Sequence, residues 1–433
     1  MFNIGIVGLG YVGLTLSIIA AKKGFIVYGI DKDLNILSSI KNKKGHFFEK
    51  GLDEALSEVL DKQLFISDQF NSENDIDCFV ITVGTPINKG SKEPDLNHIK
   101  SAIDSFLHIY TGKQLIILRS TVSVGTTRTI AIPKLCSASK IQSDEVLIAF
   151  CPERTVEGNA LKELVEIPQI IGANNEESYK KANGIFKIIT KETIKVKSIE
   201  AAELIKLFNN TYRDIHFSIG NYFNFIAQSF GLDGNELINA ANHNYERSKI
   251  AIPGLVGGPC LEKDPHILVH NLKDNEGKKF VLGARTYNES MEDRIVRWVL
   301  HKIKKYNLKN IGVSGIAFKG KPDNSDIRGS SSLNIINKLM LRKVNVLCHD
   351  FIVTEKYINF ENKVENDFYK FIEGLQMILI LNNNHRYSSL DLFLTETKMK
   401  KPCIIFDCWN ILPSEEKYEN LNISTLGNME LKL

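Results

Sequence analysis

Residues 2 to 31 constrain the fold of this chain more than any other segment. Phe2-Asn-Ile-Gly-Ile-Val7 is a short apolar run suited to a strand buried on both faces. Gly8-Leu-Gly-Tyr-Val-Gly13 follows, and Leu14 to Lys23 continues with helical character up to Gly24. A glycine just past a helix C-terminus is a common stop. Phe25 to Ile30 reads as a second strand, closing on Asp31. Strand, glycine-rich turn, helix, strand and acid form one βαβ unit. Gly8 permits the tight turn, Gly10 lets the backbone approach a pyrophosphate, and Gly13 lets the helix pack on the strand. The helix N-terminus then faces the phosphates. Asp31 stands 18 residues beyond Gly13, near the spacing at which a carboxylate takes a ribose 2′-hydroxyl. A carboxylate there repels a 2′-phosphate, so NAD is expected rather than NADP. Tyr11 and Val12, inside the turn, join these residues as candidate cofactor contacts.

The alternation continues. Cys78 to Val83, Leu115 to Leu118 and Val146 to Phe150 read as strands separated by helical patterns, as in a doubly wound parallel sheet. The middle changes character. From Ser198 to Asn242 there is hardly a turn signal except near Gly231, and a long helix over roughly 199–230 is expected. A helix of that length usually packs against a partner. The last third restarts the plan: Lys309-Asn-Ile-Gly-Val-Ser-Gly315 echoes the first strand and turn, and Val344 to Asp350 echoes the second strand and its acid. Met377 to Leu381 and Cys403 to Phe406 supply further strands. Ala317 stands where the second fingerprint glycine would be, so this second α/β domain need not bind the same ligand.

Composition narrows the setting. At 433 residues, two or three domains are expected. Apolar residues at 43% and charged residues at 24% describe an ordinary globular chain. The 54 Lys and Arg exceed the 51 Asp and Glu by only three, which gives no case for a general nucleic-acid binder. No apolar run approaches the roughly 18 residues that span a bilayer. The seven cysteines are 78, 136, 151, 260, 348, 403 and 408, with no CxxC pair, so neither a disulfide framework nor a metal site is expected. With a strand starting at residue 2, no signal peptide is expected, and the setting reads as reducing and cytoplasmic.

Several short segments carry chemistry. Val83-Gly-Thr85-Pro86 and Arg119-Ser-Thr121-Val122 end strands, and loops at the carboxyl ends of parallel strands line the ligand crevice. Thr85 is a candidate cofactor contact. Thr121 can hydrogen-bond a reacting oxygen or the cofactor, or merely satisfy a turn. Cys151-Pro-Glu-Arg-Thr-Val-Glu-Gly158 sets Glu153 and Glu157 near the same crevice, as a proton-handling pair or as surface partners of Arg154. Lys206 and Asn210 share a helix face, able to stabilise an oxyanion, or simply solvated. In Pro253-Gly-Leu-Val-Gly-Gly-Pro-Cys260-Leu-Glu-Lys-Asp264-Pro265, three glycines and three prolines surround a single cysteine. Asp264 reads as an N-cap or as an acid, and Cys260 lies just before that helix start, where the dipole favours a thiolate. A thiolate, a lysine, an acid and NAD fit oxidation of an alcohol to an aldehyde, its capture as a thiohemiacetal, oxidation to a thioester and hydrolysis.

GLGYVGL, VGTP, RSTVSVGTT, CPERTVEG, AAELIKLFNNTYRD, PGLVGGPCLEKDP and GIAFKGKPDNSDIRGSS follow one another along the chain. With these motifs in this order, the chain resembles the nucleotide-sugar 6-dehydrogenases, the UDP-glucose and UDP-N-acetylhexosamine dehydrogenases. The resemblance implies two Rossmann-like doubly wound domains joined by a long central helix with an all-α dimerisation region. The expected division is 1–197 for NAD, 198–300 for the centre and 301–433 for the uridine nucleotide. It implies a homodimer that oxidises C6 of a UDP-sugar to a carboxylate with two NAD and one water, for surface polysaccharide. Cys260 matches the nucleophile, and Lys206 and Asn210 the pair that holds substrate and oxyanion. Asp264 and Thr121 match the acid and threonine that manage a water, and one of Glu153 and Glu157 the hydrolytic carboxylate. Lys319 and Arg328 match basic residues that reach the nucleotide, and Arg247 an arginine contributed across the dimer. Glu153, Arg154, Arg213 and Gly257 complete the candidate substrate contacts with Lys206 and Asn210. Pro253-Gly254, Val256-Gly-Gly258 and Asp264-Pro265 follow the N-acetylhexosamine type, whereas Lys263 and Glu157 follow the glucose type. An N-acetylhexosamine substrate is therefore expected, its epimer open, with UDP-glucose the alternative. A two-electron dehydrogenase of a nucleotide-linked alcohol also fits the fingerprint alone, and an intact Cys260, Lys206, Asn210 and Asp264 oppose a non-enzymatic NAD sensor.

Overall fold

The computed structural model describes residues 2–88, 90–354, 363–413 and 420–429. Its chain forms two compact units, Met1–Asn209 with His266–Lys273, and Asn210–Pro265 with Asp274–Leu433.

The first unit is built on β1 (Asn3–Val7), β2 (Ile26–Ile30), β3 (Leu64–Ser67), β4 (Cys78–Ile81), β5 (Leu115–Leu118), β6 (Ile148–Phe150), β7 (Gln169–Ala173) and β8 (Thr193–Lys195). They lie in the order β3-β2-β1-β4-β5-β6-β7-β8. All neighbours are parallel except β6 and β7. The central strands read as apolar runs because both faces are covered. Ile4, Ile6, Val80 and Leu115 pack on one side with Leu14 and Ile18 of helix α1 (Tyr11–Lys22). Val7, Phe79, Ile81 and Leu118 pack on the other with Phe106. Phe79 and Phe106 stack there at 4.3 Å.

The second unit repeats the plan. β9 (Ile311–Ser314), β10 (Val346–His349), β11 (Val364–Glu365), β12 (Met377–Ile380), β13 (Cys403–Asp407) and β14 (Leu421–Thr425) run parallel in the order β11-β10-β9-β12-β13-β14. In both sheets the strand order reverses beside the first strand. Each strand foreseen in the sequence is present within two residues of its expected ends. The long helix also forms, as α2 (Ile199–Ser229), carrying the chain from the first unit into the second. A short helix, α3 (Asp264–His270), follows the cysteine loop. The 32-residue α4 (Asn275–Tyr306) leads to β9. Asp274 caps α4 through Glu276 N, and Lys304 and Lys305 sit in its last turn, favourable for the helix dipole.

Candidate active site

The glycine turn has the geometry its sequence requires. Gly8 holds φ +93°, a conformation other residues rarely adopt. A Cβ on Gly13 would run into the Gly8 carbonyl, so α1 crosses β1 closely only because this side chain is absent. A Cβ on Gly10 would meet open space. Gly10 caps α1 without a side-chain hydrogen bond, so the first-turn amides suit an anion. Asp31 Oδ2 accepts from Leu9 N at 2.7 Å and Oδ1 from Asp33 N at 2.9 Å, which fixes the carboxylate beside the turn. These residues fit an NAD pyrophosphate and ribose.

Thr85 and Thr121 lie in the loops that follow the neighbouring strands β4 and β5, and the Thr85 hydroxyl donates to the Thr121 carbonyl. Ser120 Oγ adds a bond to Val83 O at 2.6 Å. Thr85 is therefore buried as a brace, while Thr121 keeps a partly exposed side chain. Tyr11 acts in a similar way. Its hydroxyl donates to Glu49, and Gly158 N reaches both Tyr11 Oη and Glu49 Oε2 at 2.8 Å. The fingerprint helix and the Glu153–Gly158 loop are thereby tied together by Glu49, a residue that sequence reading passed over. Val12 is half-buried in the first turn of α1.

Glu153 is not a surface partner of Arg154. Its Oε2 lies 3.5 Å from Lys206 Nζ, and both side chains are nearly buried. Burial alone would push its carboxyl up. The Lys206 ammonium, the Thr155 amide and the Arg119 guanidinium outweigh burial and hold it below the usual carboxylate range. Arg154 instead donates to the Pro168 carbonyl. Arg119 is buried and bonds Gln169 Oε1 at 2.7 Å, a second contributor the sequence did not single out. Glu157 is partly exposed in the same loop, whose Val156 N bonds Glu163 Oε2 at 2.7 Å. Lys206 is thus no solvated lysine, and burial strengthens its interaction with Glu153.

In the second unit, Asn210 Nδ2 donates to Asp264 Oδ2 at 2.6 Å, and Lys263 Nζ donates to Oδ1 at 2.6 Å. Asp264 is fully buried and begins α3, its carboxylate directed to these two donors. Its own amide bonds the Cys260 carbonyl at 2.9 Å, so the partly exposed Cys260 sits one turn before the acid. Turn residues 261–263 separate Cys260 from the helix start, so the expected dipole effect acts across about one turn. Gly258 N bonds Gly329 O at 2.8 Å, and a Cβ on Gly257 would strike the same carbonyl. Of the other cysteines, 78, 151, 348, 403 and 408 are buried and Cys136 is partly exposed.

Lys319 and Arg328 lie in the second unit, on the segment after β9. Lys319 Nζ is 5.4 Å from the Phe318 ring, and exposed Arg328 forks onto Asp326 at 2.5–3.0 Å. Arg213 and Arg247 are exposed, Arg247 resting over Tyr245 at 5.1 Å. The restart at Gly315 differs from the first fingerprint in its acid. Asp350 is buried and accepts amides from Ile316, Ala317, Ile352 and Val353 at 2.7–3.0 Å. It is consumed inside the domain, in keeping with the reading that this half need not bind the same ligand. No helix among the described residues is long and apolar enough to cross a membrane.

Comparison with known proteins adds an independent line. The chain matches the UDP-glucose/GDP-mannose dehydrogenase family in three segments. These are its NAD binding domain over residues 2–190, its central domain over 200–290 and its UDP binding domain over 312–414. It is 33% identical to a UDP-N-acetyl-D-mannosamine dehydrogenase of Methanocaldococcus jannaschii, over 98% of this chain and 96% of that one. It is similar in structure to the UDP-D-ManNAc dehydrogenase of Pyrococcus horikoshii, with TM-score 0.88 and 29% identity over 99% of this chain and 100% of that one. A UDP-N-acetyl-mannosamine dehydrogenase of Staphylococcus aureus gives TM-score 0.86 at 28% identity over 99% and 98%.

Proposed function

The chain belongs to the UDP-glucose/GDP-mannose dehydrogenase family, and from that premise we propose that it oxidises C6 of UDP-N-acetylmannosamine to the uronate through Cys260. The relatives support the acetamido sugar and its epimer. The observation that carries the cysteine route is a partly exposed thiol one turn from a buried carboxylate gripped by Asn210 and Lys263.

The roles divide by residue. Gly8, Gly10, Gly13 and Asp31 hold NAD, which supplies a two-electron acceptor for each of two oxidations. Lys206 and Asn210 hold the C6 oxygen and stabilise its negative charge. The Cys260 sulfur adds to the aldehyde carbon, and its proton passes to the carbonyl oxygen, giving a thiohemiacetal. Loss of hydride and the hydroxyl proton leaves the thioester. Water then adds, the carbon–sulfur bond breaks, and the thiol regains a proton as the carboxylate leaves. Asp264 and Thr121 order the water, and one of Glu153 and Glu157 takes its proton. Arg154, Arg213, Arg247, Gly257, Lys319 and Arg328 contact the substrate. The reading includes the 1–197, 198–300 and 301–433 division, a cytoplasmic homodimer, and a product destined for surface polysaccharide.

NADH counted per sugar on UDP-N-acetylmannosamine, UDP-GlcNAc, UDP-GalNAc and UDP-glucose tests the proposal. Two NADH per UDP-N-acetylmannosamine are expected, with UDP-glucose rejected strongly, because a site built for an acetamido group leaves polar groups unpaired otherwise. One NADH per sugar, or preference for UDP-glucose, would overturn the stoichiometry or the substrate. Cys260→Ser should bind NAD and make no uronate; uronate formed at the wild-type rate would sink the covalent route.

A further inference from the structure

Residues 251–257, which lead to Cys260, pair in no helix or strand. The carbonyls on either side of the cysteine nevertheless converge on one side chain. Arg285, on α4, donates from Nη2 to Val256 O at 2.8 Å and from Nη1 to Leu261 O at 3.2 Å. It is 2% exposed, and its charge is met by the equally buried Asp214 of α2, Oδ1 to Nη1 at 2.6 Å. Asn288, one turn along α4, donates to the Asp214 carbonyl and carboxylate at 2.8 and 2.9 Å. Its Oδ1 accepts from Asn221 Nδ2 at 3.0 Å. Asn221 in turn grips Gly254 both ways, its Nδ2 to the carbonyl at 3.0 Å and the Gly254 amide to its Oδ1 at 2.9 Å. Two long helices thus reach the loop at residues 254, 256 and 261.

Burying a guanidinium and a carboxylate is costly, and apolar side chains would join the helices as well or better. A planar fork with several fixed donors is, however, suited to holding two carbonyls at a set separation. Those carbonyls bracket the turn from which the sulfur projects. We propose that Arg285, supported by Asp214, Asn288 and Asn221, is the positioning residue for Cys260. It sets the direction and exposure of the sulfur without touching the reacting atoms.

This inference rests on the reading of Cys260 as nucleophile, and its test is chosen so that the two can fail separately. Alkylation of Cys260 by iodoacetamide, quantified by peptide mass spectrometry, reports how the sulfur is presented whether or not it is catalytic. Arg285→Lys keeps the charge but cannot bridge both carbonyls. It should lower kcat by about 10²-fold, the scale of an ångström misplacement of a reacting group. The KM for NAD should stay unchanged, and the alkylation rate at Cys260 should change severalfold. Asn221→Ala frees the Gly254 end and the Asn288 side-chain oxygen but uncovers no buried charge, so it decides the matter if Arg285→Lys does not fold. Its effects should be of the same kind and smaller. Wild-type kcat and wild-type alkylation in Arg285→Lys, or in Asn221→Ala where the lysine variant does not fold, would reduce the network to packing. Activity retained in Cys260→Ser would instead overturn the nucleophile and leave the alkylation result to stand alone.

Discussion

Lys206 and Glu153 meet at 3.5 Å with side chains only 7% and 13% exposed, so charge and burial oppose each other across one contact. Burial is the largest influence on Glu153 and raises its carboxyl, yet Lys206, Thr155 and Arg119 together bring it below the ordinary value. A carboxyl lowered in the folded state binds fewer protons there than in the unfolded chain. Its stabilising contribution is complete above the unfolded carboxyl value and is lost as pH falls through the lowered one. Lys206→Met removes the strongest opposing charge, so burial should prevail and the carboxyl should rise above its unfolded value. The variant should lose roughly 1–3 kcal/mol at neutral pH, the cost of a buried polar group losing its partner. The gap to wild type should narrow as acid protonates Glu153 in the variant and weakens the pair in the wild type. Thermal scans across the acid range check this, and a gap independent of pH would show the pair carries no such linkage. At this scale the sequence disclosed residues whose type and spacing are chemically unusual, such as Cys260, Lys206, Asn210 and Asp264. It concealed Glu49, Asn221 and Arg285. Their partners are mostly backbone atoms 24 to 112 residues away, and no local pattern marks such a bond.

The turn between β1 and α1 separates binding from folding within one element. Gly10 and Gly13 are both fingerprint glycines, but only Gly13 lies where a Cβ meets backbone. Gly13→Ala should therefore push α1 off the sheet and destabilise the protein by about 1–3 kcal/mol, the usual cost of overpacking. Gly10→Ala has room for its methyl group in the protein alone, so its melting temperature should fall only by the small cost of alanine at an N-cap, less than in Gly13→Ala. The methyl group would occupy the approach to a pyrophosphate, so NAD affinity should fall at least about tenfold, or 1.4 kcal/mol. Calorimetry with and without NAD distinguishes the two, and a Gly10→Ala variant with normal NAD affinity would contradict the placement of the phosphates. Burial on both faces explains the strands that were legible. The central strands β1, β4 and β5 are covered on both faces and appear in the sequence as unbroken apolar runs. β8 is short with two exposed positions, and β11 has only two residues, so neither leaves a recognisable period. The π-helical turn Thr127–Ala131 was equally hidden, its start held by Glu203, which accepts Gly125 N and Thr127 N from the distant α2.

The six strands of the second sheet follow the order of the first six in the first, but the acids have diverged: Asp31 is partly exposed beside an open glycine turn, while Asp350 is sealed by four backbone amides. One plan can therefore serve two ligands, as the family's NAD and UDP binding domains imply. The proposed homodimer belongs to the same scale. Along α2, Tyr212, Ile219, Phe223 and Ile226 are exposed, and Phe230 follows just past the helix end. Their spacings of seven, four, three and four keep them on one stripe, the pattern of a helix seam that expects a facing helix. Single exposed apolar residues are normal, whereas a stripe several turns long marks an interaction surface. A second copy of α2 is the occupant the family resemblance implies. Phe223→Glu places a carboxylate in the middle of this stripe, where pairing would bury it without a partner. It should sediment as a monomer at concentrations where the wild type is a dimer. NAD binding should survive, because the glycine turn and Asp31 both lie within the first unit. Turnover should fall if Arg247 acts across the dimer and persist if each chain supplies its own arginine. A Phe223→Glu protein that remains dimeric would move the interface away from α2, and a monomeric wild type would remove the dimer altogether.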